Sequence, residues 1–321
     1  MKLFNKALVG VAVTAALAVS VPVHASTVAA ADLNIFQLGL VSASGATPSI
    51  TITSESRTGT ADANFNGAQA TQNGPGSITS VDIGATVDVL NRCAGDCGAG
   101  TLALYAGGGG FENNTTTNLN PPGTRNFALG DMLISGGGLG TNITGLTRAD
   151  AETAGPTNIG GANATIKNAG SIFGSFTVNT TFTGSVALAA DYFIRAYVDS
   201  VFPTRGSADA GIGFNLAITS SDDVGFTTLR FAPTELNQSF FSTQFSQNQL
   251  FQDNNSTGGR GQTFISDART FTGGRNYNFS INQSSNAAVS ERANVIPEPG
   301  SLVLMGLGLL GLVAARRRKS V

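Results

Sequence analysis

Apolar and polar residues alternate with a period of two along much of the chain. Val81, Ile83, Ala85, Val87 and Val89 share one side of an extended segment, with Asp82, Thr86 and Asp88 on the other. Ile172, Phe176, Val178 and Phe182 alternate with Ser175, Thr177, Asn179 and Thr181, and Ile212, Phe214, Leu216 and Ile218 with Asn215 and Thr219. Tyr192, Ile194, Ala196 and Val198 form a fourth stripe; Tyr277, Phe279 and Ile281, set between Asn276, Asn278, Ser280 and Asn282, form a fifth. Each window predicts a half-buried strand, because successive side chains of a strand point to opposite faces. Shorter strands are predicted at 50–53, 101–105, 127–134 and 226–231. Strands with one apolar and one polar face build antiparallel sheets with a solvated side, and two such sheets bury their apolar faces against each other. The predicted fold is all-β, an antiparallel β-sandwich over residues 26–295.

Residues 234–251 fit two patterns. Leu236, Phe240, Phe241 and Phe245 have a spacing a helix accepts, and Phe241, Thr243 and Phe245 suit a strand equally well. Between Gly95 and Gly161 the chain is punctuated by Gly107–Gly110, Pro121-Pro122, Gly136–Gly138 and Gly155-Pro156, signals of turns and loops. A division of the body near 140–165 is left open.

Two stretches break the alternation. Residues 1–25 carry Lys2 and Lys6, an apolar run from Ala7 to Val21, and Val23-His24-Ala25 as a small-x-small cleavage site, the layout of a secretory signal peptide. At the other end Pro297-Glu298-Pro299 is followed by Ser301–Ala315 without a charge, then by Arg316, Arg317, Arg318 and Lys319. The prolines fix an extended, exposed turn around Glu298. As a helix, Ser301–Ala315 would span about 22 Å, a short transmembrane segment that relies on its flanks or a thinned bilayer. The four cations hold their end on the cytoplasmic side. The glycines of Gly306-Leu-Gly-Leu-Leu-Gly311 imitate a dinucleotide fingerprint, but neither a preceding strand nor a following acid supports it.

This tail, residues 296–321, resembles the PEP-CTERM sorting signal of bacterial surface proteins in its Pro-Glu-Pro turn, its apolar run and its terminal basic cluster. The resemblance implies export, transient anchoring in the inner membrane, and recognition of the turn by the membrane protease-transpeptidase exosortase. It further implies delivery to the cell surface or an extracellular, biofilm or exopolysaccharide-associated matrix. It says nothing of what the body does.

Charge and composition narrow the chemistry. Two of the 18 basic residues lie in the first 25 positions and four in the last six, leaving 12 against 20 acids, a formal −8 over residues 26–298. An acidic body with no basic run argues against a nucleic-acid partner. The only histidine, His24, leaves with the signal peptide, which removes Ser-His-Asp and Cys-His catalysis and the usual histidine-bearing zinc sites. Charged residues make up 12% of the chain, about half the common share, so Ser, Thr and Asn carry the polarity.

Cys93 and Cys97 are the only cysteines, and export favours a disulfide between them that pins a turn. Asp253-Asn-Asn-Ser-Thr-Gly258 starts like a calcium loop, with Asp222-Asp223 as further oxygen donors, but Phe264 stands where a bidentate glutamate belongs. A carboxylate-pair glycosidase needs no histidine, yet the chain has no tryptophan and only four tyrosines to build sugar platforms. Asn-x-Ser/Thr sequons recur because the chain is rich in all three residues. The expectation is a non-catalytic, cofactor-free and metal-free surface or matrix protein. The alternatives are a polysaccharide-binding module or adhesin, with or without Ca²⁺, and a histidine-free carboxylate hydrolase.

Overall fold

The computed structural model describes residues 26–70, 77–96, 126–154, 159–166, 172–199, 204–243, 250–253 and 262–293. The strands are β1 Ser26–Ser42, β2 Ile50–Phe65, β3 Ala68–Gln69, β4 Ser77–Ser80, β5 Val87–Gly95, β6 Phe127–Gly138, β7 Asn142–Ala154, β8 Ile159–Ile166 and β9 Ile172–Val178. After them come β10 Phe182–Asp199, β11 Thr204–Ser220, β12 Leu229–Phe231, β13 Gln238–Thr243, β14 Leu250–Asp253, β15 Gln262–Ile265, β16 Arg269–Phe271 and β17 Asn276–Ala293. One sheet runs β14-β10-β1-β7-β6-β5, with β15 and β16 also on β10. The other runs β12-β11-β17-β8-β2-β3, with β13 on β11, β4 on β2, and β9 between β17 and β2. Every recorded pairing is antiparallel, and strands from before and after residues 140–165 share both sheets.

The two sheets pack face to face, as the alternation requires. Ala29, Ala31, Leu33 and Ile35 of β1 and Tyr192, Ile194, Ala196 and Val198 of β10 meet Phe214, Leu216 and Ile218 of β11 and Tyr277, Phe279 and Ile281 of β17 in one core. Phe176, Phe271 and Tyr277 form an aromatic knot at one end, with ring centroids 5.3 to 6.3 Å apart. The stripes of β10, β11 and β17 are the predicted ones; that of β1 is not among them.

Three segments depart from the sequence pattern or resolve it. The predicted strand at Val81–Val89 exists only from Val87 onward: Val81 is 73% and Ile83 50% exposed. Gly84, at φ +75°, turns the chain there, its N–H donating to Glu55, while Ala85 gives its carbonyl to Arg57. The predicted strand at 226–231 shrinks to β12, because Phe226 closes a turn on Asp223 and lays its ring against Phe271 and Tyr277. Residues 234–251 resolve into a single 3₁₀ turn at Thr234–Leu236 followed by β13 and β14, with 244–249 outside the described residues. The predicted strand at 101–105, the signal peptide and the tail also lie outside them.

Candidate functional site

Side chains that leave the core alternation carry the candidate chemistry, and the largest group lies on the outer face of the first sheet. In β7, Ala149 and Ala151 enter the core, so Arg148, Asp150 and Glu152 point away from it. The register sets Arg148 between Asp32 of β1 and Asp131 of β6, and Asp150 between Ala30 and Leu129. Arg148 Nε donates to Asp150 Oδ2 at 2.7 Å, and its Nη1 lies 3.9 Å from Asp32 Oδ2. Asp32, Arg148, Asp150, Glu152 and Arg195 are all buried, as are the apolar Val28, Ala30, Phe127, Leu129 and Phe193 beside them. Asp32 Oδ1 and Arg195 Nε and Nη2 have no hydrogen-bond partner among the described residues. The Arg195 guanidinium sits 5.1 Å from the centre of the Tyr197 ring.

Burial sets the protonation of this face. It pushes the Asp32 carboxyl up to about 7, with Arg148 opposing and Asp150 and Asp131 adding to the rise. Asp131 is likewise pushed to about 7 by burial, against a 2.8 Å hydrogen bond from the Met132 N–H. Burial also lowers Arg195 from the usual arginine range. One arginine among three aspartates leaves a carboxyl excess, and holding protons is how a buried surplus of negative charge is relieved.

A second polar group faces inward, between the sheets. Arg57 on β2 pairs with Glu55 through Nε and donates to the carbonyls of Ala85 and Gly136, each at 2.9 Å. Nearer the centre, Gln283 Nε2 donates to the Leu33 carbonyl at 2.7 Å and to the Gly145 carbonyl at 3.2 Å, beside Ser285 and Thr147, which hydrogen-bond to each other. Both groups tie one sheet to the other. The sequence pattern did not announce them, although Arg148-Ala-Asp-Ala-Glu152 is itself a period-two run, with alanine in place of larger apolar residues.

An open cleft of about 500 Å³ lies where β12 and the 3₁₀ turn approach β15, lined by Arg230, Phe231, Pro233, Glu235, Phe264 and Asp267 among others. Asp267 stands in solvent 3.7 Å from Arg269 Nη2. Glu235 and Asp267 are the two acids among its lining residues. The carboxyls raised to about 7, Asp32 and Asp131, lie outside its lining.

The proposed calcium donors are separated. Asp253 ends β14 in the first sheet, opposite Phe193, and the rest of its loop, 254–261, lies outside the described residues. Asp222 and Asp223 follow β11 in the second sheet and hold their own turn. Asp222 accepts from Ser220 Oγ at 2.9 Å and from the Asn276 N–H at 3.1 Å, and Asp223 accepts from the Tyr277 hydroxyl at 2.7 Å. For Asp222, desolvation is outweighed by donors from Asn276 and Ser220; for Asp223, Tyr277 is the leading donor. Both carboxyls lie below their ordinary value. Among the described residues, no group of three acidic, cysteine or histidine side chains is placed to hold a metal ion.

Cys93 is buried on β5, opposite Leu129 of β6, and Cys97 lies outside the described residues. Pro297, Glu298, Pro299, Arg316, Arg317, Arg318 and Lys319 lie outside them as well. Among the described residues no helix is long and apolar enough to cross a membrane. No curated protein and no solved structure matches the chain. The PEP-CTERM protein-sorting motif matches residues 295–319, which takes in Pro297-Glu298-Pro299, the apolar run and the four cations. Fold and tail together describe a two-sheet β-sandwich that carries a PEP-CTERM sorting motif at its C-terminus.

Proposed function

We propose that this protein is exported through a cleaved signal peptide, held briefly in the inner membrane by residues 301–315, and processed by exosortase at Pro297-Glu298-Pro299. The released sandwich then serves a non-catalytic, structural role at the cell surface or in the extracellular matrix. The sorting motif at residues 295–319 is the observation that carries this reading. The chemistry of the body supports its second half: Arg148 pairs with Asp150 and Arg57 with Glu55 within the protein, and the Asp222 and Asp223 carboxylates are engaged by their own turn. A bridge between Cys93 and Cys97 belongs to the same reading, since an exported chain with two cysteines four residues apart oxidises readily.

Intact-mass measurement of the protein recovered from the cell surface tests this. The expected species begins at Ser26, lacks the basic cluster, and takes up no alkylating reagent at cysteine before reduction. A species keeping Arg316–Lys319 contradicts the processing, and two alkylated thiols contradict the disulfide.

A further inference from the structure

Where β9 sits between β17 and β2, the second sheet runs β12, β11, β17, β9, β2 and β4. The register lines up one outward residue from each strand. Arg230 stands beside Ala217, Ala217 beside Ser280, Ser280 beside Phe173, and Phe173 beside Ser56. Arg57 pairs with Ser80 at the end of β4, so Val81 comes next to Ser56 and closes the row. The two ends of this row differ in sign. Arg230 is exposed at one, and Val81, Asp82 and Ile83 are exposed together at the other. Phe173, near the middle, is 52% exposed.

We infer that this outer face is the interface of a symmetric dimer, docked sheet against sheet with a second copy of the chain. The two-fold axis lies in the interface, parallel to the strands, between Ser280 and Phe173. Such an axis reverses the row. Arg230 of each copy comes over Val81 and Asp82 of the other, Ala217 over Ser56, and Phe173 over Ser280. The inference goes beyond the sorting reading and does not depend on it.

Three observations carry it. The first is charge complementarity. Between the two ends the outward positions are uncharged: Asn276, Asn278, Ser280 and Asn282 on β17, Ser175 and Thr177 on β9, and Asn215 and Thr219 on β11. Although the body carries a formal −8, two such faces bring no like charges together at their centre. A two-fold axis makes every contact occur twice, so one cation and one acid at opposite ends of a row give two matched pairs. The second is the state of the polar side chains. Ser175 hydrogen-bonds to both Thr53 and Ser54 at 2.7 Å, Thr177 donates to Asn276 at 2.6 Å, and Asn282 donates to Asn215 at 2.9 Å. These groups are partnered sideways within their own sheet, which lowers the cost of covering them. The third is size and shape. With strands about 4.8 Å apart and alternate residues about 6.8 Å apart, the face measures about 24 by 27 Å. Two copies then bury roughly 1,300 Å² in all, the scale of a specific protein interface. Phe173 meets the small Ser280 at its centre, and the aliphatic stem of Arg230 covers Val81 and Ile83 at either end. Sheets with one flat face pack on each other in this aligned manner, as the two sheets of the sandwich already do.

Protein recovered from cells producing the full chain is followed by sedimentation velocity over a concentration series, with intact mass recording the state of its tail. The expected result is a monomer–dimer equilibrium that is the same with and without the tail. Phe173→Glu should weaken the dimer at least about ten-fold. Arg230→Glu and Asp82→Arg should each weaken it, and the two together should restore it, because the double variant exchanges the signs at both ends of the row. Phe241→Ser, on the far half of the same face, should leave it unchanged. Circular dichroism and thermal unfolding verify that each variant is folded. A monomer at every concentration, a dimer indifferent to Phe173→Glu, or a double variant no tighter than either single one overturns the inference. Association confined to species that keep the tail also overturns it, by giving the contact to residues 301–315. An unprocessed tail on a dimer that obeys the charge exchange sinks the sorting reading alone.

Discussion

Arg57 carries a large share of the contact between sheets at one end of the sandwich. It satisfies Glu55 and two carbonyls from the opposite side, Ala85 and Gly136. Removing one member of a fully buried pair leaves the other charge without compensation, at a cost of about 3–5 kcal/mol, whereas replacing both by apolar groups is far milder. Arg57→Met is therefore expected to destabilise the protein by about that amount in urea unfolding, and Arg57→Met with Glu55→Leu to recover a large part of the loss. Equal losses in the single and double variants would mean that Arg57 acts through the two carbonyls alone. The aspartates on the outer face of the first sheet give a pH signature of definite sign. Asp32 and Asp131 are raised to about 7 from an unfolded value near 3.9, so the native state binds more protons than the unfolded state between those limits. Their contribution is present at the acid end and declines as pH rises from about 4 through about 7. Asp222 and Asp223 are depressed, so their contribution is held above about 4 and lost as pH falls through their folded values. Stability measured by urea unfolding should fall between pH 4 and 7, and Asp32→Asn should flatten that fall. The same slope in both proteins would contradict the assignment to Asp32.

Turns and strand registers define the elements, and glycine conformation tests them. Gly136, at φ +97°, would bring a Cβ to 2.2 Å from the Asn142 carbonyl oxygen, whereas Gly274, at φ +77°, opens onto empty space. Gly274→Ala pays only for its backbone conformation, about 1–2 kcal/mol, while Gly136→Ala must also displace backbone and is expected to cost more. Thermal midpoints of the two variants separate these costs; equal shifts would refute the close approach. The same elements explain what could be read from the sequence. Strands β9 and β11 and the first part of β17 alternate large apolar with small polar residues, because one of their faces meets the core and the other water; β10 shows its core stripe although Phe193 and Arg195 on its other face are buried as well. Strands β1 and β7 lack that alternation because the outer face of their sheet is buried as well. Their runs Val28-Ala-Ala-Ala-Asp32 and Arg148-Ala-Asp-Ala-Glu152 set small apolar residues against paired charges. The far half of β17 was equally hidden, since Gln283 and Ser285 point inward to satisfy Leu33, Gly145 and Thr147. The hairpin between β2 and β3 did have a local signal, Asn66-Gly67, both at positive φ as such turns require.

At the scale of the molecule, one edge of each sheet is made of short segments. Three of them, β14, β15 and β16, share the outer side of β10, and β12 and β13 share that of β11. Short, broken edge strands offer little template for pairing with another chain, which suits a protein with wide polar faces and few charges. Ser26, the residue after the expected signal-peptide cleavage site, pairs with Asp199 of β10 and Ala154 of β7. The tail motif was legible in the sequence because its Pro-Glu-Pro, apolar run and cations follow in linear order, whereas the candidate sites of the body depend on register between strands far apart in the chain. The measurement that tests the sorting account most directly follows a C-terminal tag and a body tag through membrane and surface fractions, in wild type and in Glu298→Ala. Wild type is predicted to lose the tail tag and deliver the body tag to the surface, and Glu298→Ala to remain in the membrane at full length. Equal retention of the tail tag at the membrane in both would make the tail a plain anchor and contradict the account.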